Sequence, residues 1–359
     1  MKRPFVSVII PNYNSARTIK SCVESVLSTD YASFECIVVD DCSTDNSVEL
    51  IKGINCRIIR LKKNSGPATA RNAGVKHSKG DIVFFVDSDL ILKPNAIAEV
   101  VKTFDMSEIA IRKLPASARG KKAISEHAQE HVPCFSTGVL DKNKEIGGVQ
   151  GIYSSIPANK TFIGKIMAIK KFTDFDGSKK LTFITGAITA LRKDVFNEAG
   201  GFDIRYRGAD VEDYDLGHKI AEKHLLLYNP NIQGEHYFPT LIKACKNYFK
   251  RSGQWVSIFR KRKRFDSGAA SKKGGLSAIV SVLIILSLII SLFMPYVFIL
   301  FFSLLLLFLV LNSKFLKKAI TQEGTIFTLE SIPVLCILFN AALLGAAFSF
   351  IRMIVGRNR

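Results

Sequence analysis

The sequence predicts an α/β domain with a mainly parallel sheet, followed by C-terminal transmembrane helices. Over the first hundred residues, short apolar runs alternate with segments of helical spacing, and some runs are apolar without interruption. Strands that are apolar on both faces are typical of a parallel sheet covered by helices. The end of the chain gives the other observation, because 276–311 and 332–351 contain no charged residue. Each of these segments is long enough for a span of about 20 residues.

The first hundred residues divide into four predicted strands and three predicted helices. Polar residues or prolines end the strands, and apolar residues recur every three or four positions in the helices. In the first helix these are Ile19, Cys22, Val23 and Val26. The predicted strands are Phe5–Ile10, Phe34–Val39, Cys56–Leu61 and Ile82–Val86; the other helices are one that Ser43–Asp45 caps and that runs to about Lys52, and Pro67–Lys76.

Polar side chains follow three of these strands. In parallel sheets the ligand lies beyond the carboxyl ends of the strands. Carboxylates that meet there repel each other unless a cation or a hydrogen-bond donor lies between them. A divalent ion that bridges a diphosphate meets this need, because Mg²⁺ and Mn²⁺ prefer oxygen ligands and commonly share them with substrate phosphates. The residues at this edge are Pro11 and Tyr13, then Asp40 and Asp41, then Asp87, Ser88 and Asp89.

Four sequence blocks make the pattern specific. In order along the chain they are VSVIIPNYN, ECIVVDDCSTD, NSGPATARNAG and GDIVFFVDSD. Together they resemble the nucleotide-binding half of the family 2 glycosyltransferases, and the resemblance extends from about Phe5 to His236. It implies the GT-A fold, which has a Rossmann-like, mixed but mainly parallel sheet.

The resemblance also implies roles for individual residues on the donor side. Pro11, Tyr13 and Asp41 would hold the base and ribose of a nucleotide sugar, and Arg71 would approach the diphosphate. The Asp-x-Asp element would be Asp87, Ser88 and Asp89. Asp87 and Ser88 would contact the donor. Both carboxylates would lie at the metal, with Asp89 the more direct ligand. Other interpretations stay open: Asp40 and Asp45 could cap turns and helices, and Arg71 could pair with a surface acid.

The second half of the domain carries the predicted catalytic carboxylates. The blocks from Phe183 to Ala187, from Gly200 to Asp203 and from Val211 to Leu216 resemble the acceptor half of the same family. Displacement of a nucleoside diphosphate by a hydroxyl needs a base, and a carboxylate at a helix start can serve. By resemblance the base is Asp213, with Glu212 beside it in the site. A negative helix N-terminus stabilised by the helix dipole is the competing explanation.

Three histidines are candidate metal ligands. By resemblance His236 would lie near the diphosphate or the metal, although a buried structural histidine is an equal alternative. His127 and His131 are four residues apart, a spacing that could bind a metal. Because no third ligand is nearby in the sequence, histidines on a solvated helix face are the favoured interpretation of that pair.

The predicted domains are a catalytic domain at 1–240, a basic interfacial segment at 241–275 and a transmembrane module at 276–359. The module is expected to span the membrane at about 276–294, 296–311 and 332–351. A re-entrant third segment is the alternative, since a full third span would place the terminal arginines opposite the other cations and so conflict with the positive-inside rule.

Charge and cysteines indicate the partners and the compartment. The net charge is +19, and 243–273 contains eleven Lys or Arg against one acid. Cations beside a transmembrane segment favour anionic lipids over nucleic acid, although a solvated linker is the simpler alternative. The seven cysteines form no CxxC pair, and no signal-peptide pattern opens the chain. We therefore expect a multi-pass protein of the cytoplasmic (inner) membrane with a cytoplasmic catalytic domain.

The expected function is inverting transfer of a sugar from a nucleoside-diphosphate sugar, with a UDP-sugar as first expectation. The acceptor would be a hydroxyl of a membrane-associated or glycan molecule. The alternative is transfer to a polyprenyl phosphate, whose anionic oxygen needs no base. A nucleotidyltransferase would have no use for the block from Gly200 to Leu216. A catalytically inactive scaffold would not need Asp87, Asp89 and Asp213 together.

Overall fold

The computed structural model describes residues 3–113, 144–175, 181–206, 211–262 and 271–355. The chain forms two compact units. The first comprises Met1–Ser154 and Gly177–Tyr237, and the second comprises Ser155–Asp176 and Phe238–Arg359. The candidate histidines His127 and His131 lie outside the described residues.

The first unit is built on one mixed sheet of eight strands in the order β3-β2-β1-β4-β7-β6-β8-β5. The pairs β3–β2, β2–β1, β1–β4 and β6–β8 are parallel. The pairs β4–β7, β6–β7 and β5–β8 are antiparallel. The predicted fold class is therefore confirmed. The strands are β1 Val6–Asn12, β2 Phe34–Asp40, β3 Arg57–Arg60, β4 Ile82–Val86, β5 Leu90–Leu92, β6 Ile146–Tyr153, β7 Ile188–Arg192 and β8 Leu225–His236.

Helices cover this sheet because their apolar faces are buried on it. The face predicted for the first helix, Ile19, Cys22, Val23 and Val26, is fully buried in the core with residues of β1, β2 and β4. The helices of this unit are α1 Ile19–Leu27, α2 Pro67–His77, α3 Ala96–Lys113, α5 Lys193–Glu198 and α6 Glu212–Lys223.

One predicted helix is wrong. The segment from Ser43 to Lys52 contains only a 3₁₀ turn, Glu49–Ile51. Its start is held as a turn by side chains. The side-chain oxygen of Asn14 accepts from the backbone N–H groups of Thr44 and Asp45, at 2.8 and 3.3 Å. The Asp45 carboxylate accepts from Ser47 N–H. Such side-chain to backbone bonds compete with helix formation.

The second unit is helical and includes a segment that we predicted in the catalytic domain. Helix α4, Phe162–Asp174, packs its apolar residues Ile166, Met167 and Ile169 into the cluster that the C-terminal helices form. It is also tied by an ion pair of 2.6 Å between Lys165 and Glu323. The other helices are α7 Leu241–Arg262, α8 Lys272–Ser291, α9 Phe298–Leu311, α10 Ser313–Glu323 and α11 Thr325–Val355, with a 3₁₀ turn at Pro295–Val297.

Among the described residues, two helices, α8 and α11, are long and apolar enough to cross a membrane. A third span results if the bent pair Pro295–Leu311 and Ser313–Glu323, at 74° to each other, counts as one. The bend therefore lies in the middle apolar segment, and the number of full spans stays a prediction. The bend lies where the uncharged run ends and the lysine-containing α10 begins, so the two halves of the pair differ in polarity.

Candidate active site

The loops after β1 and β2 are joined by buried polar contacts. The side-chain amide of Asn12 donates to Asp40 at 2.9 Å and to Ser47 at 3.0 Å. Asp40 is fully buried and also accepts from Arg60 at 3.3 Å. Asp40 is thus a structural element of this edge, consistent with the turn-capping interpretation.

Asp41 is held at the N-terminal end of α2. It accepts hydrogen bonds from the backbone N–H groups of Ser65 and Gly66, at 2.8 and 2.7 Å. Burial raises the pKa of Asp41 above its ordinary value, and the two N–H groups only partly offset this effect. Nearby, Pro11 is half-buried and Tyr13 is 47% exposed, so the tyrosine ring is available to a ligand.

The loop after β4 contains the Asp-x-Asp element. The hydroxyl of Ser88 lies 2.9 Å from that of Ser15, which connects this loop to the one after β1. The Asp87 carboxylate accepts from Arg71 at 2.8 Å. Burial raises the pKa of Asp87, and the negative charge of Asp89 adds to the rise against the opposing effect of Arg71.

Arg71 connects the two halves of the site. Its guanidinium is buried and donates to Asp87 on one side and to Glu212, at 3.0 Å, on the other. Burial tends to lower the pKa of Arg71, but the two carboxylates outweigh that effect and the pKa is raised. The predicted approach of Arg71 to a diphosphate stays a prediction; the contacts that the structure gives it are with carboxylates on both sides.

Asp89 and His236 form the part of the site that suits a metal. The Asp89 Oδ2 atom lies 3.3 Å from His236 Nε2, and the adjacent pairing of β5 with β8 fixes the two residues side by side. Two neighbouring ligands of an octahedral ion, each at about 2.1 Å from it, lie about 3 Å apart. Within the described residues no group of three or more His, Cys, Asp or Glu is arranged for a metal. The spacing of the two atoms matches that of two neighbouring ligands of such an ion.

Asp213 is placed at the first turn of α6. It accepts from the backbone N–H of Gly186 at 3.0 Å and from that of Tyr214 at 2.8 Å. Burial, together with the charge of neighbouring Glu212, raises the pKa of Asp213 from its ordinary value of 3.8 to about 7. A carboxyl with this pKa is half ionised near neutral pH, which suits a group that takes up a proton.

Two supporting features were missed by the sequence reasoning. A Cβ on Gly186 would lie 2.7 Å from the guanidinium carbon of Arg71, so this glycine permits the close approach of Arg71. The Tyr214 ring stacks on Phe183 at 4.5 Å between centroids, which anchors the start of α6. The role of Gly186 could have been inferred from the glycine in the block 183–187. The ring stack could not have been inferred from the sequence, because it depends on contacts between distant segments.

The mixed sheet with carboxylates at the carboxyl ends of its strands defines the class as an α/β enzyme of the GT-A type. The family model "Glycosyl transferase family 2" matches residues 7–200, more than half of the chain. The chain belongs to this family of glycosyltransferases.

Known relatives are similar over short stretches. The succinoglycan biosynthesis protein ExoO of Rhizobium meliloti is 36% identical over 118 residues, which is 32% of this chain and 34% of ExoO. Glycosyltransferase GlyG of Streptococcus pneumoniae is 38% identical over 97 residues, 26% of this chain and 32% of GlyG. The matched stretches therefore span about a third of these relatives.

Among solved structures, a mannosyltransferase from Pyrobaculum calidifontis, PcManGT, in complex with GDP-Man and Mn²⁺, is similar over 97% of this chain and 88% of its own. The sequence identity is 16% and the TM-score is 0.47. A likeness of this degree carries no information on the donor or the acceptor of this chain.

Proposed function

We propose that this protein is an inverting, metal-dependent glycosyltransferase that moves a sugar from a nucleoside-diphosphate sugar, first of all a UDP-sugar, to a hydroxyl. The acceptor would be a membrane-associated or glycan molecule at the cytoplasmic face of the inner membrane. Membership of family 2 supports glycosyl transfer. The buried placement of Asp213 in the first turn of α6, where it accepts from the backbone N–H groups of Gly186 and Tyr214 and where burial raises its pKa to about 7, is the observation that carries the proposal of a hydroxyl acceptor.

On the donor side, the exposed ring of Tyr13 and the carboxylate of Asp41 would bind the nucleoside, with Pro11 and Ser88 shaping the pocket. Asp89 and His236 would hold Mg²⁺ or Mn²⁺, with Asp87 beside them, since their atoms are spaced for neighbouring ligands. When bound, the ion supplies a Lewis acid for the charge that develops on the leaving diphosphate. Arg71 would fix Asp87 and Glu212 in their orientations.

On the acceptor side, the hydroxyl oxygen would attack the anomeric carbon as the bond from that carbon to the diphosphate oxygen breaks. The hydroxyl proton would pass to the Asp213 carboxylate, and the electron pair of the broken bond would leave with the nucleoside diphosphate. Because the attack occurs on the face opposite the leaving group, a single displacement inverts the anomeric configuration. Glu212 would keep the pKa of Asp213 high by its negative charge.

The membrane module would place this chemistry at a lipid surface. Helix α7, which precedes the first apolar helix α8 along the chain, carries Lys243, Lys246, Lys250 and Arg251. Cations in that position attract anionic headgroups, each by about 1 kcal/mol. This charge supports anionic lipids as partners and a cytoplasmic position for the catalytic unit.

The test of this proposal measures nucleoside diphosphate release by the full-length protein in detergent, with a panel of UDP-, GDP- and other nucleotide sugars, Mg²⁺ or Mn²⁺, and membrane extract as a source of acceptor. Asp213→Asn should keep donor affinity and lose transfer by about a hundredfold or more. A matched control is Asp194→Asn, because Asp194 also lies in the first turn of a helix but pairs with Arg192.

The control should retain near wild-type activity. If both variants lose activity equally, a general effect of removing a carboxylate from a helix N-terminus explains the loss in Asp213→Asn. If Asp213→Asn transfers sugar at near the wild-type rate, the nucleophile needs no base, and a polyprenyl phosphate becomes the leading acceptor.

A further inference from the structure

Gln150 is a buried amide that none of the roles above uses. It lies on β6 and is 1% exposed. Its Oε1 atom accepts from Thr185 N–H at 2.7 Å and lies 2.5 Å from the Thr189 hydroxyl. Its Nε2 group donates toward the Thr185 hydroxyl at 2.8 Å and the Ile188 carbonyl at 3.1 Å. The side chain thus binds both ends of the short segment Thr185–Ile188.

This segment contacts both halves of the candidate active site. At its centre, Gly186 N–H donates to Asp213 Oδ2 at 3.0 Å. The next residue, Ala187, accepts through its carbonyl from Asp87 N–H at 3.3 Å. Because Gln150 holds the segment on either side of Gly186, a shift of the Gly186 N–H would break buried hydrogen bonds of that amide, and buried polar groups left unpaired are costly.

We propose that Gln150 is a positioning residue for glycosyl transfer: through Thr185–Ile188 it directs the Gly186 N–H at Asp213 and so fixes the orientation and the proton affinity of that carboxylate. This inference rests on the proposed role of Asp213 as base. Because Gln150 is 1% exposed, the proposed role is one of positioning.

Charged groups and backbone donors both face Asp213. Glu212 comes from the same helix and Arg71 from α2, and the two N–H donors are those of Gly186 and Tyr214. The Tyr214 N–H belongs to the helix that carries Asp213, so it stays in place when the segment moves. The Gly186 N–H comes from outside the helix. Its loss would remove a donor that favours the ionised carboxylate and would raise the pKa of Asp213 further.

An amide is needed at this position because the site presents donors and acceptors together. A methionine has a similar size but makes no comparable hydrogen bonds, so Gln150→Met removes the side-chain hydrogen bonds to Thr185–Ile188 with little change in volume. Val149→Ala is the matched control. Val149 is the adjacent residue on β6, is equally buried, and packs into the apolar core, so its truncation perturbs the strand without removing a side-chain hydrogen bond to the segment.

The experiment measures nucleoside diphosphate release against pH for both variants, with the donor selected by the panel. Gln150→Met should lower kcat about tenfold to a hundredfold, the scale for small misplacements of a catalytic group, with the donor KM within about twofold of wild type. The acid limb of its pH profile should move upward by about half a unit or more. Val149→Ala should keep the wild-type profile even if its melting temperature falls.

A second variant covers the case in which Gln150→Met does not fold. Thr189→Val removes one hydroxyl from the same network, keeps the side-chain shape, and should shift the acid limb in the same direction by a smaller amount. If the acid limb and kcat of a folded Gln150→Met protein match wild type while Asp213→Asn is inactive, this inference fails alone. If Asp213→Asn transfers normally, the proposed base and this inference fail together.

Melting temperatures test the proposed effect on the proton affinity of Asp213 without any substrate. Asp213→Asn should raise the melting temperature relative to its parent more at pH 8 than at pH 5, because the parent carries a buried charge at the higher pH. When Asp213→Asn is combined with Gln150→Met or with Thr189→Val, its gain in melting temperature should differ more between pH 8 and pH 5 than it does in the wild-type background. An equal difference in both backgrounds would show that the amide does not affect the proton affinity of Asp213.

Discussion

Among the residues that the structure describes, each unit contains one deeply buried cation, and the two are neutralised in different ways. Arg71 in the catalytic unit bonds to Asp87 and Glu212, which are 16 and 141 residues away in the sequence. Lys170 in the helical unit bonds to Asp174 on the same helix, at 2.9 and 3.0 Å, and its ammonium lies 4.5 Å from the centre of the Phe339 ring.

The difference lies in what each pair connects. The Lys170 pair follows from helix geometry, since residues i and i+4 share a face, and Asp174 still has a side chain 27% exposed to solvent. The Arg71 network exists only when α2, the β4 loop and α6 are assembled, and Glu212 is 4% exposed there. Buried charges that depend on tertiary assembly cost more when one partner is lost.

The largest expected effect is that of Arg71→Met. It should leave Glu212 buried without its cation and lower the free energy of unfolding by about 3–5 kcal/mol, with loss of transfer activity. Denaturant or thermal unfolding of the full-length protein in one detergent measures the change. Arg60→Met is the control: Arg60 also pairs with a buried carboxylate, Asp40, but its own side chain is 58% exposed, and Asp40 keeps the Asn12 amide as a donor. A loss that is no greater than that of Arg60→Met would contradict this view of the network.

The next effect concerns pH and the carboxylate beside the Arg71 network. The folded pKa of Asp213, about 7, lies above its ordinary value of 3.8, so the folded protein binds this proton more tightly than the unfolded chain does. Stability from this group therefore falls as pH rises from about 4 to about 7. The gain in stability of Asp213→Asn over wild type should widen across that window by up to about 4 kcal/mol, since a rise from 3.8 to about 7 is about three pKa units and each unit corresponds to about 1.4 kcal/mol. The substituted amide also places its own N–H against one of the two backbone N–H donors, which lowers the gain by the same amount at every pH.

Melting temperatures of both proteins at several pH values between 4 and 8 measure this gap, and Asp194→Asn serves as control. The pKa of Asp194 is lowered, despite partial burial, by its hydrogen bonds with Arg192 and with backbone N–H groups. The Asp194 carboxylate therefore stabilises the folded protein at pH values above its ordinary pKa, and this effect is lost as pH falls. The stability difference between Asp194→Asn and wild type should not widen above pH 4. A gap for Asp213→Asn that stays constant between pH 4 and 8 would contradict the raised pKa.

The smallest effect is expected for Lys170→Met. The methionine can occupy the apolar volume next to Phe339, and Asp174 can turn to solvent, so the free energy of unfolding should fall by about 1 kcal/mol or less. Thermal unfolding in the same detergent as for Arg71→Met allows a direct comparison. A loss as large as that of Arg71→Met would show that local pairs and assembled networks do not differ here.

Much of the fold was predictable because its signals are local. Four of the five strands of the first hundred residues and the helices α1 and α2 lie where apolar periodicity and prolines put them, whereas the short strand β5 was not predicted. The helix expected after Ser43 failed because Asn14, about thirty residues away, holds the segment as a turn. The assignment of α4 to the helical unit also required contacts with distant residues, including Glu323.

The sequence by itself determined the family, the mixed α/β sheet, the carboxylates at its edge and the long apolar segments near the end of the chain. These follow from residue types at short spacings, which the sequence displays directly. Only the tertiary structure decided that Arg71 bridges Asp87 and Glu212, that Asp89 meets His236, and that Gln150 holds the segment at Asp213. The physical reason is that these hydrogen bonds and ion pairs join residues 16 to 147 positions apart, and a pKa such as that of Asp213 depends on which residues come together.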